Sequence, residues 1–399
     1  MKKSDVLTLS SEIFKRGVDR IIGEEALRDA LQKKKKLKIK LGIDATAPFL
    51  HIGHATTLWK LRALQEYGHK VQLLLGDFTT RIGDPTGRSK TRPVIPQKEI
   101  DKNALRIQAQ VKKILIPDKN VLEFRRNSEW FGAMKAGEFM KILSFITHAR
   151  LIERDMFRER IRKGDEIYMH EFLYPVLQGY DSYMLKSDCT IVGSDQLFNE
   201  AMGRFFQEKL GTAPQAIVTL TLLPGLDGKE KMSKSEKNYI AIEDSPREKF
   251  GKTMTLPDAL VCDYMAIYTD IPLSDIEAWR ERVRRGENPM QAKLFLACAI
   301  VRRYHGEVQA KKEKEHFMSL FSKKEISDGI PAVALAYGDQ DGISVVVGTG
   351  AVSSRSEARR LITQGAVEVD GEILGSRGRI EVKQGIVIRV GKKRFYKVK

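Results

Sequence analysis

Two short clusters in this 399-residue chain carry donors at a spacing suited to binding phosphate. His51-Ile52-Gly53-His54 places two imidazoles within one helical turn, and Lys231-Met232-Ser233-Lys234-Ser235 places two ammonium groups three residues apart. Gly53 leaves room for a flat ligand against the backbone. A strand, a tight turn and a helix N-terminus at His51 would turn backbone N–H groups and the helix dipole toward an anion. The spacing is not that of a phosphate-wrapping loop, since the chain has no Gly-x-x-x-x-Gly-Lys-Ser/Thr and no Gly-x-Gly-x-x-Gly after a strand. Alone, His-x-x-His also describes two solvated loop histidines or a weak two-ligand metal site. A third constellation is Tyr174, Gln178 and Asp181, at i, i+4 and i+7, which share one helix face. Such a stripe is often solvent-facing, but Glu171 to Leu177 is too apolar for an exposed helix. A half-buried hydroxyl, amide and carboxylate need partners, which a polar ligand would supply. Asp84, in Gly83-Asp84-Pro85, reads equally as a turn-former and as a ligand contact.

The elements that position these groups follow from periodicity. Leu37 to Asp44 alternates as a strand, Gly42 and Pro48 punctuate a turn, and Leu58, Leu61 and Leu64 fall at helical spacing. Val71 to Asp77 is a second buried strand, so strand, helix and strand predict a parallel sheet. Asp84 then lies just past a strand's carboxyl end, where open α/β sheets bind ligands. Thr190 to Gln196 and Ala216 to Leu220 read as further strands whose polar ends fall on the same side. Residues 5–32 read as two short helices broken near Gly17 and Gly23, and Lys33 to Lys36 as a solvated face. Pro175 suggests that its helix starts or kinks there.

The boundaries expected are N-terminal helices over 1–36 and an α/β domain over 37–244, with a helical insertion at about 99–165. A helical domain over 245–325, a Gly/Ala/Asp-rich linker over 326–342 and a small unit over 343–399 follow. That last unit has a serine-capped basic helix at 354–362 and short strands around 366–369, 380–382, 386–390 and 395–398. It holds twelve Lys plus Arg against five acids, so +7 of the chain's net +17, and reads as a nucleic-acid footprint.

Charged residues at 30% and hydrophobic ones at 42% are an ordinary soluble balance. Cys189, Cys262 and Cys298 indicate neither a disulfide framework nor a zinc site. The N-terminus lacks an apolar leader core and no run reaches membrane-spanning length, so a cytoplasmic protein is expected.

The paired His and Lys motifs, found in order on strand–helix and loop positions, resemble the signatures of class I aminoacyl-tRNA synthetases. With Gly42-Ile43-Asp44, Gly83-Asp84-Pro85, Tyr174 to Asp181 and Gly193-Ser194-Asp195-Gln196, nearly the whole chain is similar to the bacterial tyrosyl-tRNA synthetases. Its tail is similar to the RNA-binding domain of small-subunit ribosomal protein S-four. The resemblance implies a Rossmann-like parallel sheet with a helical insertion that forms a homodimer interface, a helical anticodon-arm domain and a small α+β RNA-binding domain. It implies tyrosine, ATP with Mg²⁺ and tRNA(Tyr) as partners, with no metal site of the protein's own. Asp84, Tyr174 and Gln178 would hold the tyrosine ammonium, Asp181 its phenol, and Gln196 would lie near its carboxylate. Gly42, Asp44 and Gly53 would line the nucleotide cradle, with Thr46 and His51 toward the triphosphate. His54, Thr57, Gly193 and Asp195 would take the ribose side, and Lys231 and Lys234 the departing pyrophosphate.

Two departures stand out: Ala45 where relatives often have Pro, and Lys40 where one subgroup places a tyrosine that also binds the phenol. The rivals are a tryptophanyl-tRNA synthetase, a small-molecule adenylyltransferase with the same His motif, and a non-catalytic RNA-binding descendant. The first usually has Met-x-Ala-Asp where this chain has Gln178-Gly179-Tyr180-Asp181, and lacks the basic tail. The second would not need the long helical and basic C-terminal region. The third would be expected to lose His or Lys from the motifs.

Overall fold

The computed structural model describes residues 7–86, 95–233, 236–319, 331–375, 378–391 and 394–399. Two compact units emerge, Met1–Ala310 and Lys311–Lys399. The first is built on a sheet of β1 (Val18–Ile22), β2 (Lys38–Ile43), β3 (Lys70–Leu75), β4 (Leu122–Arg126), β5 (Cys189–Gly193) and β6 (Ala216–Leu220). The spatial order is β1-β6-β5-β2-β3-β4, with β1 antiparallel and the other five parallel. The inner strands are buried on both faces: every residue of β6 and five of six in β3 are buried. Their covers include α1 (Glu24–Gln32), α2 (Ile52–Glu66) and α3 (Gln97–Ile114). Leu58, Leu61 and Leu64 of α2 and Ile100, Ala104, Ile107 and Val111 of α3 join Ile39, Val71 and Leu73 in one core.

Two of the sequence-based readings for this sheet need correction. Residues 18–22 form a strand, not part of a helix pair. Gly17 and Gly23 both have positive φ and bound the strand on either side, and Val18, Ile21 and Ile22 suit a sheet. The stretch 99–165 is not helical throughout, because β4 adds an edge strand after α3. Glu123, Arg125 and Arg126 hide it from a hydrophobicity pattern, yet charge is what an exposed edge favours. Only beyond it do α4 (Ser128–Phe131), α5 (Ala136–Leu143), α6 (His148–Ile152) and α7 (Asp155–Lys163) follow.

The long α8 (Met169–Leu185) carries Pro175 in its interior, so the helix does not start there. With α9 (Leu197–Lys209) it closes the other face of the sheet. Beyond β6 come α10 (Pro246–Met254), α11 (Val261–Tyr268), α12 (Leu273–Arg284) and α13 (Pro289–His305), of which the last three share a core with Ile52 and Met232. The cradle helix and the lysine loop are thereby anchored on one apolar cluster. The division between the units falls within α14 (Glu307–Ser319). Among the described residues no helix is long and apolar enough to cross a membrane.

The second unit has β7 (Ala332–Val333), β8 (Gly338–Asp341), α15 (Gly342–Gly348), α16 (Arg355–Thr363), β9 (Val367–Val369), β10 (Glu372–Ile373), β11 (Arg379–Val382), β12 (Val387–Val390) and β13 (Arg394–Val398). A five-stranded sheet runs β10-β9-β12-β13-β7 and a two-stranded one β11-β8. Residues 331–341, expected to be linker, thus supply a strand to each sheet, because backbone pairing there does not depend on apolar side chains. Ser354 accepts from the Glu357 N–H at 3.2 Å, capping α16 as expected.

His69, 4% exposed, sits where α2 returns to the sheet, and its Nδ1 accepts the Leu37 N–H at 3.1 Å just before β2. Burial, aided by the Lys36 charge, holds its pKa down to about 4. Below pH 6.5 the unfolded chain takes up a proton that the folded one refuses, so stability falls as pH drops toward 4. His69 alone contributes up to about 1.4 kcal/mol per pH unit of that slope. In His69→Asn the side-chain oxygen accepts the same N–H without titrating, so denaturation at pH 7 and pH 5 should show a shallower loss. An unchanged slope would place the proton uptake elsewhere.

Candidate active site

The chain leaves β2 for β3 and β4 on one side and returns through β5 and β6 on the other, so the topological switch lies between β2 and β5. Their ladder covers only Ile39–Cys189 and Lys40–Thr190, while β2 and β3 remain paired as far as Ile43 and Leu75. A crevice therefore opens over the carboxyl ends. Gly42, in the middle of the sheet, is exposed, and a Cβ added there would meet nothing within 4 Å. At Gly53 a Cβ would lie 2.9 Å from His51 Nδ1, so a side chain there would press on the neighbouring imidazole.

The floor is fixed by hydrogen bonds from several strand ends. Asp44 Oδ1 accepts from Thr79 Oγ1 at 2.8 Å, and its Oδ2 accepts from the Tyr174 hydroxyl at 2.9 Å. Burial first, and the Asp44 and Asp84 charges next, raise the Tyr174 pKa well above its usual value, so the phenol stays a donor. A Cβ at Gly76 would collide with both Asp44 and Thr79, so only glycine lets the carboxylate come this close. The backbone of Ala45 is held on both sides, its N–H by Thr80 Oγ1 at 2.9 Å and its carbonyl by Asn103 Nδ2 at 3.0 Å.

Tyr174, Gln178 and Asp181 do share one face of α8, and each has polar partners in the crevice wall. Asp84 Oδ2 accepts from Gln196 Nε2 at 3.0 Å. Asn199 Nδ2 donates to Gln196 Oε1 at 3.0 Å and to Gln178 Oε1 at 2.9 Å. Gln178 Nε2 donates to Glu200 Oε1 at 2.8 Å. Lys40 and Glu200 are each 1% exposed and form an ion pair at 2.8 Å, with Lys40 Nζ also donating to Ser182 Oγ at 2.7 Å. Asp181 lies apart from this chain. Its Oδ1 accepts from Trp130 Nε1 at 2.9 Å and its Oδ2 from Asn127 Nδ2 at 3.3 Å. Burial pushes its pKa up to about 8, against the opposing pull of the Lys40 charge and these two donors.

At the cradle, the His51 and His54 rings pack with centroids 3.9 Å apart. His54 has an exposed edge, yet the walls around it hold its pKa down to about 4, and burial lowers His51 too. Both are neutral at pH 7 and offer hydrogen bonds rather than charge. His54 Nδ1 accepts the His51 N–H at 3.3 Å, whereas the buried His51 Nδ1 has no partner among the described residues. Thr46 is half-buried in the turn before the cradle, and Thr57 is 8% exposed along α2. The segment after the lysine loop is stitched to this cradle. The Ile52 N–H donates to the Ile240 carbonyl at 2.9 Å, the Ile242 N–H donates to Leu50 at 2.8 Å, and Phe49 stacks on Tyr239. Lys231 Nζ reaches Asp195, just after Gly193, at 3.3 Å. Lys234 lies outside the described residues.

Five contributors were not among the candidates: Asn127, Trp130, Arg154, Asn199 and Glu200. Asn199 and Glu200 were within reach, because they stand at i+3 and i+4 from Gln196 on a helical stretch. Asn127 and Trp130 stand beyond an edge strand that the pattern did not reveal. Arg154, 6% exposed, reaches from the insertion to the Thr86 hydroxyl and to 3.9 Å from Asp84, a contact that no spacing signals. Among the described residues no group of three or more His, Cys, Asp or Glu stands where it could hold a metal ion.

Comparison with known proteins agrees with this arrangement. Residues 32–322 match the family described as tRNA synthetases class I (W and Y), and residues 344–380 match the S4 domain. The chain is 45% identical over 389 residues to the tyrosine–tRNA ligase of Thermotoga maritima, covering 97% of this chain and 96% of that one. It is 42% identical to the tyrosine–tRNA ligase of Aquifex aeolicus, covering 97% of each. A solved tyrosyl-tRNA synthetase from Archaeoglobus fulgidus, complexed with L-tyrosine, superposes with a TM-score of 0.60 at 23% identity, over 76% of this chain and 98% of that one. A tryptophanyl-tRNA synthetase from Plasmodium falciparum does so at 0.59 and 14%, over 77% of this chain and 85% of that one. The fold alone does not separate tyrosine from tryptophan, but the full-length identities do. The chain belongs to the class I tRNA synthetases, within the tyrosine–tRNA ligases.

Proposed function

We propose that the crevice joins tyrosine to ATP as tyrosyl adenylate and that the chain passes the tyrosyl group to the 3′ end of tRNA(Tyr). The observation that carries this reading is the full-length identity to tyrosine–tRNA ligases. The polar face of α8 at the switch point gives it a physical site. Asp84, Tyr174 and Gln178 take the ammonium, Asp181 the phenol, and Gln196 stands near the carboxylate, with Lys40 behind them. Gly42, Asp44 and Gly53 line the nucleotide cradle, Thr46 and His51 face the triphosphate, and His54, Thr57, Gly193 and Asp195 face the ribose. Lys231 and Lys234 attend the pyrophosphate.

A carboxylate oxygen of tyrosine attacks the α-phosphorus, and the bond to the bridging oxygen breaks as pyrophosphate leaves. No side-chain nucleophile is needed, so the residues act by alignment and by donors aimed at the separating phosphates. The neutral histidines supply hydrogen bonds there without repelling Lys231. Mg²⁺ would arrive on the ATP phosphates and neutralise part of their charge. The insertion exposes Met140 and Ile161, and the start of α8 exposes Met169, apolar side chains suited to a second copy of the chain in a homodimer. In the second unit α16 exposes Arg355, Arg359 and Arg360, which suit an RNA backbone. A cytoplasmic location fits these partners.

The test is amino-acid-dependent ATP–pyrophosphate exchange across all twenty amino acids, followed by tRNA charging. Tyrosine alone should drive exchange. With residues 343–399 deleted, exchange should persist while charging collapses. Exchange driven by tryptophan instead would favour the rival within the family, and normal charging by the truncated chain would remove the RNA role of the tail.

A further inference from the structure

The hydrogen bonds behind the amino-acid site run outward from Asn199 toward a carboxylate at either end. The ends are the acceptor-only groups Asp84 and Glu200, with two glutamines and one asparagine between. A carboxylate can only accept, so each glutamine must turn its NH₂ outward to its carboxylate and its carbonyl inward to Asn199. Asn199 is fully buried and spends its NH₂ on both carbonyls, while its Oδ1 has no partner among the described residues. The inner part of the chain therefore presents oxygen, the face that an ammonium group requires. Glu200 is itself fixed on its other oxygen by Lys40 at 2.8 Å and by Gln215 Nε2 at 2.9 Å.

We propose that Glu200, paired to Lys40, is a positioning residue that fixes the Gln178 amide with its carbonyl toward the substrate ammonium, and so makes the site select an amino acid over its amine-free analogue. This rests on the reading that Gln178 meets the tyrosine ammonium. It also gives Lys40 a place in the reaction scheme. In this chain Lys40 reaches Glu200 and Ser182 and supports ammonium reading from behind, where another subgroup uses a tyrosine at the phenol.

Glu200→Gln breaks the polarity, because a glutamine there accepts or donates and Gln178 can turn over. It also leaves Lys40 without its partner charge, so the double variant Lys40→Met/Glu200→Leu, which removes both charges together, is the companion. The readout is the ratio of binding constants for tyrosine and 3-(4-hydroxyphenyl)propanoate, which lacks only the ammonium, alongside KM and kcat for tyrosine. Either variant should lower that ratio on the order of 10- to 100-fold, the value of one hydrogen bond to a charged group. KM should rise more than kcat falls, and the preference for tyrosine over phenylalanine should stay. Gln178→Ala serves as the control. If it lowers the ratio while both Glu200 variants keep it, Glu200 has no positioning role. If none of the three lowers it, Gln178 does not meet the ammonium and the proposal falls with that reading.

Discussion

Asp181→Ala should abolish most of the preference for tyrosine over phenylalanine and slow the reaction with tyrosine as well. Asp181 is 3% exposed at the far end of the α8 stripe, and its two oxygens already hold the Trp130 and Asn127 side chains. A tyrosine hydroxyl bound there would join a prepared polar group. A phenylalanine ring would cover the same carboxyl group and give nothing back, leaving it desolvated. Tyrosyl-tRNA synthetases are themselves the known case of this rule, at roughly 10⁵ for tyrosine over phenylalanine, so that magnitude belongs to the family and not to the distances above. Without the carboxyl group neither substrate satisfies or strands it, and the ratio should drop by several of those powers of ten. Asp84→Ala, by contrast, should harm both amino acids alike, since they share the ammonium. Comparing kcat/KM for both substrates in both variants decides the matter. Full discrimination in Asp181→Ala would mean that the phenol is read elsewhere.

Lys231→Ala should slow adenylate formation by a factor on the order of 10² to 10³, the usual cost of losing one donor to developing charge. Tyrosine affinity should hardly move. The Lys231–Asp195 pair is half exposed on the lysine side, and such pairs contribute about 0–1 kcal/mol, so the substitution should leave folding nearly intact. Stopped-flow rates of adenylate formation, set beside equilibrium tyrosine binding, separate the two effects. A variant that mainly loses tyrosine affinity would overturn the assignment of Lys231 to the phosphates.

Much of this architecture could be read from local pattern. The alternation at 37–44 and the leucine spacing of α2 are decided by residues next to one another, and both elements stand where the periodicity places them. The one-face grouping of Tyr174, Gln178 and Asp181 needs only helix geometry. What local pattern leaves out is pairing that spans the chain. Val18–Ile22 acquires its strand character from β6, and Leu122–Arg126 from β3, although three residues of the latter are charged. The strands at 332–333 and 338–341 arise in a stretch whose composition suits a linker. Within the site, Glu200 and Lys40 lie 160 positions apart and become partners only when β2 and α9 meet. A lysine on a strand and a glutamate on a helix carry no mark of each other in the sequence.

Strand β1 also sets a timetable for the nascent chain. Val18 pairs with Leu220, and among the described residues the strand has no other neighbour in the sheet. At about 5–20 residues per second, its partner leaves the ribosome roughly 10–40 s later. Throughout that interval Val18, Ile21 and Ile22 are a hydrophobic strand with two open edges, the kind of segment that pairs with a neighbouring chain on the same message. Asp19 and Arg20 stand at its centre and remain exposed in the finished fold. Charged residues at the centre of a strand disfavour edge-to-edge pairing between chains, and Asp19 serves the later docking onto β6 by accepting from Thr219 Oγ1 at 3.0 Å. Within the six-stranded sheet the first strand in the chain is thus seated only with the last, and its two central charges guard it during synthesis.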